Sequence, residues 1–241
     1  MSVLIYNSSE ELFDDLSEYI LNIATQSIAE KGSFNFVLTG GNSPKKLYET
    51  LATTYKDKID WSKVYFFFGD ERNVTPNHES YNGLMAKRAI LDPLEIPENQ
   101  IFYVNTNLEP DQAAAAYNEA IIKHFNGKEV SFDLILLGMG DDAHTASLFP
   151  KTEILANTEA TIASVYVEKL STYRISFTAG LINKAKNVAF LVFGESKAEA
   201  VQHVLGDEEK NTTNYPSQLI APINGTLTWF LDDQAASLLE N

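Results

Sequence analysis

Hydrophobic positions along this chain recur with two periods, and the period changes from one stretch to the next. Residues 34–39, 64–68, 132–137 and 188–193 are short, nearly unbroken apolar runs, the pattern of strands covered on both faces of a parallel sheet. Residues 3–6, 101–104, 161–167, 174–177 and 227–231 read as further strands. Between them apolar residues fall at helical spacing. Ser8 and Glu11 form a capping-box pattern ahead of Leu12, Leu16, Tyr19, Ile20, Ile23 and Ile28, and Gly32 marks the end. Pro44 opens a second helical stretch through Leu47, Tyr48 and Leu51. Residues 79–82 lead a third, carrying Leu84, Met85, Ala89, Ile90 and Leu91, and residues 111–125 and 232–239 read as two more. Strands alternate with helices throughout, without internal repeats, low-complexity tracts or long linkers. The expected architecture is one α/β domain over residues 1–241: a three-layer α/β/α, doubly wound, Rossmann-like arrangement around a largely parallel sheet.

Composition changes that picture little. A chain of 241 residues can bury a large core, and 44% hydrophobic with 21% charged residues is ordinary for a soluble globular protein. Charge changes it more. Eighteen basic against 33 acidic residues leave a net charge of −15, which argues against nucleic acid and anionic membranes as partners. No apolar run reaches membrane length, the N-terminal residues lack a signal-like pattern, and zero cysteines exclude disulfide and thiolate chemistry. A cytoplasmic location is expected, and oligomeric state stays open. An anionic ligand would require the few basic residues to gather locally.

The densest chemistry follows the run at 132–137. Gly138-Met139-Gly140 allows a sharp turn close to a ligand, and Asp141, Asp142, His144, Thr145 and Ser147 come directly after. In open α/β sheets ligands sit beyond the carboxyl ends of strands. A histidine there, two residues after an acid, is the best candidate for proton transfer. The same glycines satisfy a G-x-G-x-x-A dinucleotide pattern, but the motif lies mid-chain, followed by His144 and Thr145 where an apolar helix start is needed. The nearest strand-terminal acid, Glu168, is also too distant for that role. Other strand ends point to the same edge. Gly40-Gly41 with Ser43 and Pro44 offers backbone N–H groups at a helix start, an anion site without Walker spacing. Gly69-Asp70-Glu71-Arg72 and Gly194-Glu195-Ser196-Lys197 each place charge just after an apolar strand. His78, His124, His144 and His203 show no metal-ligand spacing, so no metal is expected.

Taken in order, these loops resemble the 6-phosphogluconolactonase family, part of the glucosamine-6-phosphate isomerase/6-phosphogluconolactonase superfamily. The resembling segments are Leu38-Thr39-Gly40-Gly41-Asn42-Ser43-Pro44, Gly69-Asp70-Glu71-Arg72 with Glu79-Ser80, the loop 138–150 ending Ser147-Leu148-Phe149-Pro150, and Gly194-Glu195-Ser196-Lys197-Ala198. Gly225-Thr226-Leu227-Thr228-Trp229-Phe230-Leu231-Asp232 with Ala235-Ala236 is similar to the family's ending. The resemblance implies hydrolysis of 6-phospho-D-glucono-1,5-lactone to 6-phosphogluconate in the pentose phosphate pathway, with no metal or redox cofactor. It also implies the doubly wound fold shared with glucosamine-6-phosphate deaminases.

Lactone hydrolysis needs a positioned water and a base, and His144 is assigned as that base, with Asp142 as its orienting partner and Asp141 as second choice. Backbone N–H groups of Gly40 and Gly41, or of residues 138–140, are candidates for the developing oxyanion. Arg72, Arg174 and Lys197 are the candidate phosphate cations, with Ser43 and Asp70 completing the expected substrate-binding set. Three departures stand out. Ala143 replaces the family's usual glycine, Tyr81-Asn82 reverses the commoner order, and Ser171-Thr172-Tyr173 lacks the usual prolines. Ala143 is expected at an ordinary negative φ, which would make Ala143→Gly destabilising by about 0.4–1 kcal/mol. A positive φ would reverse the sign. Two rivals fare worse. The deaminases carry a glutamate in a Phe-Asn-Glu-Pro segment, where this chain has Ser147-Leu148-Phe149-Pro150, and a sugar-phosphate sensor domain would need a DNA-binding module.

Overall fold

The structure is a computed structural model and describes residues 1–206 and 209–239. In chain order its main elements are β1 (Ser2–Tyr6), α1 (Ser9–Lys31), β2 (Phe34–Leu38), α2 (Asn42–Thr53), β3 (Val64–Phe68), β4 (Asp70–Arg72) and α3 (Asn82–Ala86). They continue with α4 (Pro110–His124), β5 (Leu134–Leu137), β6 (Ile162–Val167), β7 (Thr172–Phe177), α5 (Ala179–Ile182), β8 (Asn187–Val192), α6 (Ala198–Leu205) and β9 (Thr226–Asp232). Six strands form a parallel sheet in the order β1-β9-β8-β5-β2-β3.

The sheet is parallel and central because its inner strands are apolar on both faces. Every residue of β2 (FNFVL) and β5 (LILL) is buried, and alternate side chains feed two separate cores. Phe36, Leu38, Phe66 and Phe68 pack with Leu12, Leu16 and Ile20 of α1 and Leu47 and Leu51 of α2. Val37, Phe67, Ile135 and Leu137 pack on the opposite face with Ala113, Tyr117 and Ile121 of α4 and Val201 of α6. Burying each such large apolar side chain contributes about 1.5–3 kcal/mol, so the three layers hold together without disulfides. The ends of α1 follow their sequence signals. The Ser8 hydroxyl accepts the Glu11 N–H at 3.2 Å, and Gly32 closes the helix at φ 77°.

The second sheet departs from expectation. β4, β7 and β6 form a small antiparallel sheet on the α4 face, so residues 161–167 and 174–177 are not part of the parallel sheet. The turn Glu168–Leu170 connecting β6 and β7 is too short for a parallel crossover and makes a hairpin, closed by Ser171 at φ 49°. Residues 101–104 contribute only an isolated bridge between Ile101 and Phe66. The expected last helix is a run of turns, because β9 extends to Asp232 and that carboxylate accepts the Ala235 N–H at 2.8 Å.

This topology creates a crevice. From β2 the chain moves to β3 on one side, then returns to β5 on the other. The loops after β2 and β5 therefore diverge at a switch point, where open α/β sheets bind ligands. Among the described residues no helix is long and apolar enough to cross a membrane.

Candidate active site

Residues after β5 do not enter a helix. Gly140 N–H donates to His144 O at 2.9 Å and Ala143 N–H donates to Gly140 O at 3.1 Å, folding the loop back on itself. Ala143, Ala146 and Lys151 all take left-handed conformations, at φ 58°, 47° and 63°. The expected negative φ at Ala143 is thus corrected. Its carbonyl is fixed by two donors from Ser217, the N–H at 3.0 Å and the hydroxyl at 2.8 Å, which pin the peptide in the orientation glycine would favour.

The fold-back brings Asp142 Oδ1 to 2.5 Å from His144 Nδ1. A Cβ on residue 140 would lie 2.1 Å from His144 Nδ1 and 2.7 Å from Asp142 Oδ1, so the pair lies against backbone that glycine leaves bare. The Phe149 ring stacks on the imidazole at 4.0 Å between centroids. The other oxygen of Asp142 accepts from Lys169 Nζ at 3.0 Å. Burial pushes the Asp142 carboxyl up, but hydrogen bonding and charge from His144, then from Lys169, outweigh it and hold the group well below the carboxylate range. In a neutral imidazole, a carboxylate on Nδ1 selects the tautomer that donates there and leaves the lone pair at Nε2. Asp141, by contrast, is exposed, with its carboxylate 3.9 Å from Lys169.

His144 opens onto a cavity of about 230 Å³ in the crevice, whose lining also includes Gly40, Gly41, Ser43, Asp70, Arg72, Gly138, Gly140 and Lys197. Hollows of about 420 Å³ beside Trp229 and about 340 Å³ beside Tyr103 are larger, yet neither gathers a histidine–carboxylate pair with cations. Arg174 is not on the lining. It faces Arg72 directly across the β4–β7 ladder, so the two guanidinium groups share one face of the small sheet. Its Nε and Nη1 are buried with no partner among the described residues. Burial first, then the charge of Arg72, push the Arg174 guanidinium below its ordinary range, while Asp70 and Glu71 act the other way. Two like charges held together, one of them unsatisfied, form a site that an anion would complete.

Several contributors were not assigned from the sequence. Glu71 is fully buried and accepts three N–H groups, from Arg72, Asn82 and Gly83, at 2.7–2.9 Å. Burial pushes its carboxyl up to about 8 against those donors. Asn82 donates its amide to Asp70 O at 2.9 Å, and its side chain occupies the space a Cβ on Gly40 would take. It therefore locks the loops after β2 and β3 together. Ser147 donates to Asp70 Oδ2 at 2.6 Å, and Asp232 accepts the Gly194 N–H that opens the Lys197 turn. Glu71 had a readable signal, since strand alternation points it away from Asp70 and Arg72. Lys169 had none, because its contact is made across 27 residues of sequence.

Comparison with known proteins finds relatives that span most of the chain. The family model of glucosamine-6-phosphate isomerases/6-phosphogluconolactonase matches residues 7–229. A 6-phosphogluconolactonase of Synechocystis sp. is 42% identical over 222 residues, covering 89% of this chain and 88% of the relative. One from Nostoc sp. is 40% identical over 226 residues, covering 92% and 91%. The crystal structure of 6-phosphogluconolactonase from Thermotoga maritima superposes with a TM-score of 0.83 at 25% identity, covering 96% of this chain and 99% of that one. The chain belongs to the glucosamine-6-phosphate isomerase/6-phosphogluconolactonase family.

Proposed function

We propose that this protein hydrolyses 6-phospho-D-glucono-1,5-lactone to 6-phospho-D-gluconate, with His144 as general base. The observation that carries the reading is the His144–Asp142 pair opening onto a cavity that also holds Arg72 and Lys197. Water attacks the lactone carbonyl carbon, and Nε2 of His144 takes its proton. Asp142 holds the ring through Nδ1 and stabilises the imidazolium that forms. As the ring C–O bond breaks, the proton returns to the departing oxygen, leaving the open acid. The N–H of Gly140 is already committed to His144 O, so Gly40 and Gly41 at the start of α2 are the better donors to the oxyanion.

Arg72, Arg174 and Lys197 supply the positive charge for the 6-phosphate, with Ser43 at the helix start adding a hydroxyl. Asp70, fixed by Ser147 and Asn82, is placed to accept from a sugar hydroxyl. Hydrolysis is favoured over deamination because no carboxylate stands at residues 147–149, and the Ser147 hydroxyl is spent on Asp70. The test compares 6-phospho-D-glucono-1,5-lactone with unphosphorylated gluconolactone, for the native protein and for Arg72→Ala. The expected result is a native preference for the phosphorylated lactone that Arg72→Ala largely removes. Equal losses on both substrates would contradict the phosphate assignment.

A further inference from the structure

We infer that Lys169 is a positioning residue for hydrolysis: its ammonium holds one oxygen of Asp142 so that the other stays on His144. The inference rests on the reading of His144 as base. Asp142 divides its two oxygens cleanly, with Oδ1 at 2.5 Å from His144 Nδ1 and Oδ2 at 3.0 Å from Lys169 Nζ. The carboxylate torsion is broad and roughly two-fold, so a carboxylate held at one oxygen can turn away from the imidazole. A cation on the second oxygen fixes its plane.

The place of Lys169 in the fold supports this role. It sits in the turn Glu168–Leu170 at the tip of the β6–β7 hairpin, where Ser171 N–H donates back to Glu168 O at 3.0 Å. That hairpin is the element that carries Arg174 beside Arg72. One small sheet therefore delivers cations both to the phosphate end and to the carboxylate behind the base, in a chain of net charge −15. As a stabilising ion pair the contact is weak. The Lys169 side chain is 62% exposed, and exposed pairs contribute little to folding. Asp142, at 23% exposure, has its freedom restricted by this contact all the same.

The experiment measures kcat and KM for 6-phospho-D-glucono-1,5-lactone in Lys169→Met, Lys169→Arg, Asp142→Asn and the double variant Lys169→Met/Asp142→Asn, with His144→Ala alongside. Lys169→Met is expected to lower kcat by about 5-fold, the loss corresponding to one partly exposed charged contact, with KM and Tm unchanged. Lys169→Arg should restore most of the loss. On the Asp142→Asn background Lys169→Met should add nothing, because its effect runs through that carboxylate. A native kcat in Lys169→Met, a loss confined to KM, or full additivity with Asp142→Asn would overturn the proposal. If His144→Ala is inactive while Lys169→Met is native, only the role of Lys169 fails. If His144→Ala is active, the reading of the base fails with it.

Discussion

Gly140→Ala probes the site with the smallest possible change. The added methyl would stand 2.1 Å from His144 Nδ1, against an ordinary contact of 3.4 Å or more. The ring has to retreat by 3.4 − 2.1 = 1.3 Å, and the Asp142 carboxylate, 2.7 Å from the same methyl, has to move with it. A misplacement of about 1 Å at a reacting group can reduce rate by about 10²-fold. Losing a charge-assisted hydrogen bond of about 1.5–3 kcal/mol gives a similar figure. The backbone at residue 140 is not in the left-handed region, so alanine meets no conformational barrier there. The expected outcome is a kcat about 10²-fold lower with a KM close to native, since Arg72, Arg174 and Lys197 are untouched. Steady-state hydrolysis with a thermal melt on the same preparation measures it. A Gly140→Ala protein with kcat within about 3-fold of native would refute the claim that the His144–Asp142 contact sets the rate.

Two further outcomes follow from the loop. Ala143→Gly relieves left-handed strain of about 1–2 kcal/mol but removes a fully buried methyl worth about 0.8 kcal/mol and frees the unfolded chain by about 0.4–1 kcal/mol; the expected net change in denaturant unfolding is within about 1 kcal/mol of zero, and a loss above about 1.5 kcal/mol would contradict the strain at this residue. Asp142, whose folded carboxyl is held well below the usual carboxylate range by His144 and Lys169, contributes stability that is present above the usual range and lost as pH falls through the folded value. The Tm difference between native protein and Asp142→Asn should therefore hold steady from about pH 5 upward and shrink in acid; a difference that instead grows in acid would contradict the assignment.

The parallel sheet was legible because burial on both faces leaves unbroken apolar runs, and the run at 64–68 coincides with β3 residue for residue. The small sheet was not, because β4 is three charged residues long and its pairing with β7 is a long-range event. Periodicity read strands at 161–167 and 174–177, close to the observed 162–167 and 172–177, but carries no information on their partners. Residues 232–239 illustrate the opposite error. Their composition suits a helix, yet the Asp232 carboxylate caps successive turns and ties them to Gly194. In the site, chain-local features such as His144 two residues after Asp142 could be read directly. Ala143 could not, since its left-handed turn is anchored through its carbonyl by Ser217, 74 residues away. The same holds for Lys169, and for Asn82, whose reversed order with Tyr81 hid its place between Gly40 and Asp70.

The central claim is that His144 moves the proton. Its most direct test is kcat for hydrolysis of 6-phospho-D-glucono-1,5-lactone by His144→Ala beside the native protein, with spontaneous ring opening subtracted and folding checked by thermal melt. Removing a general base should lower kcat by about 10²–10⁴-fold while KM stays near native and the melt stays cooperative, because the phosphate cations and both cores are left intact. A folded His144→Ala protein that turns over within about 3-fold of the native rate would contradict the account.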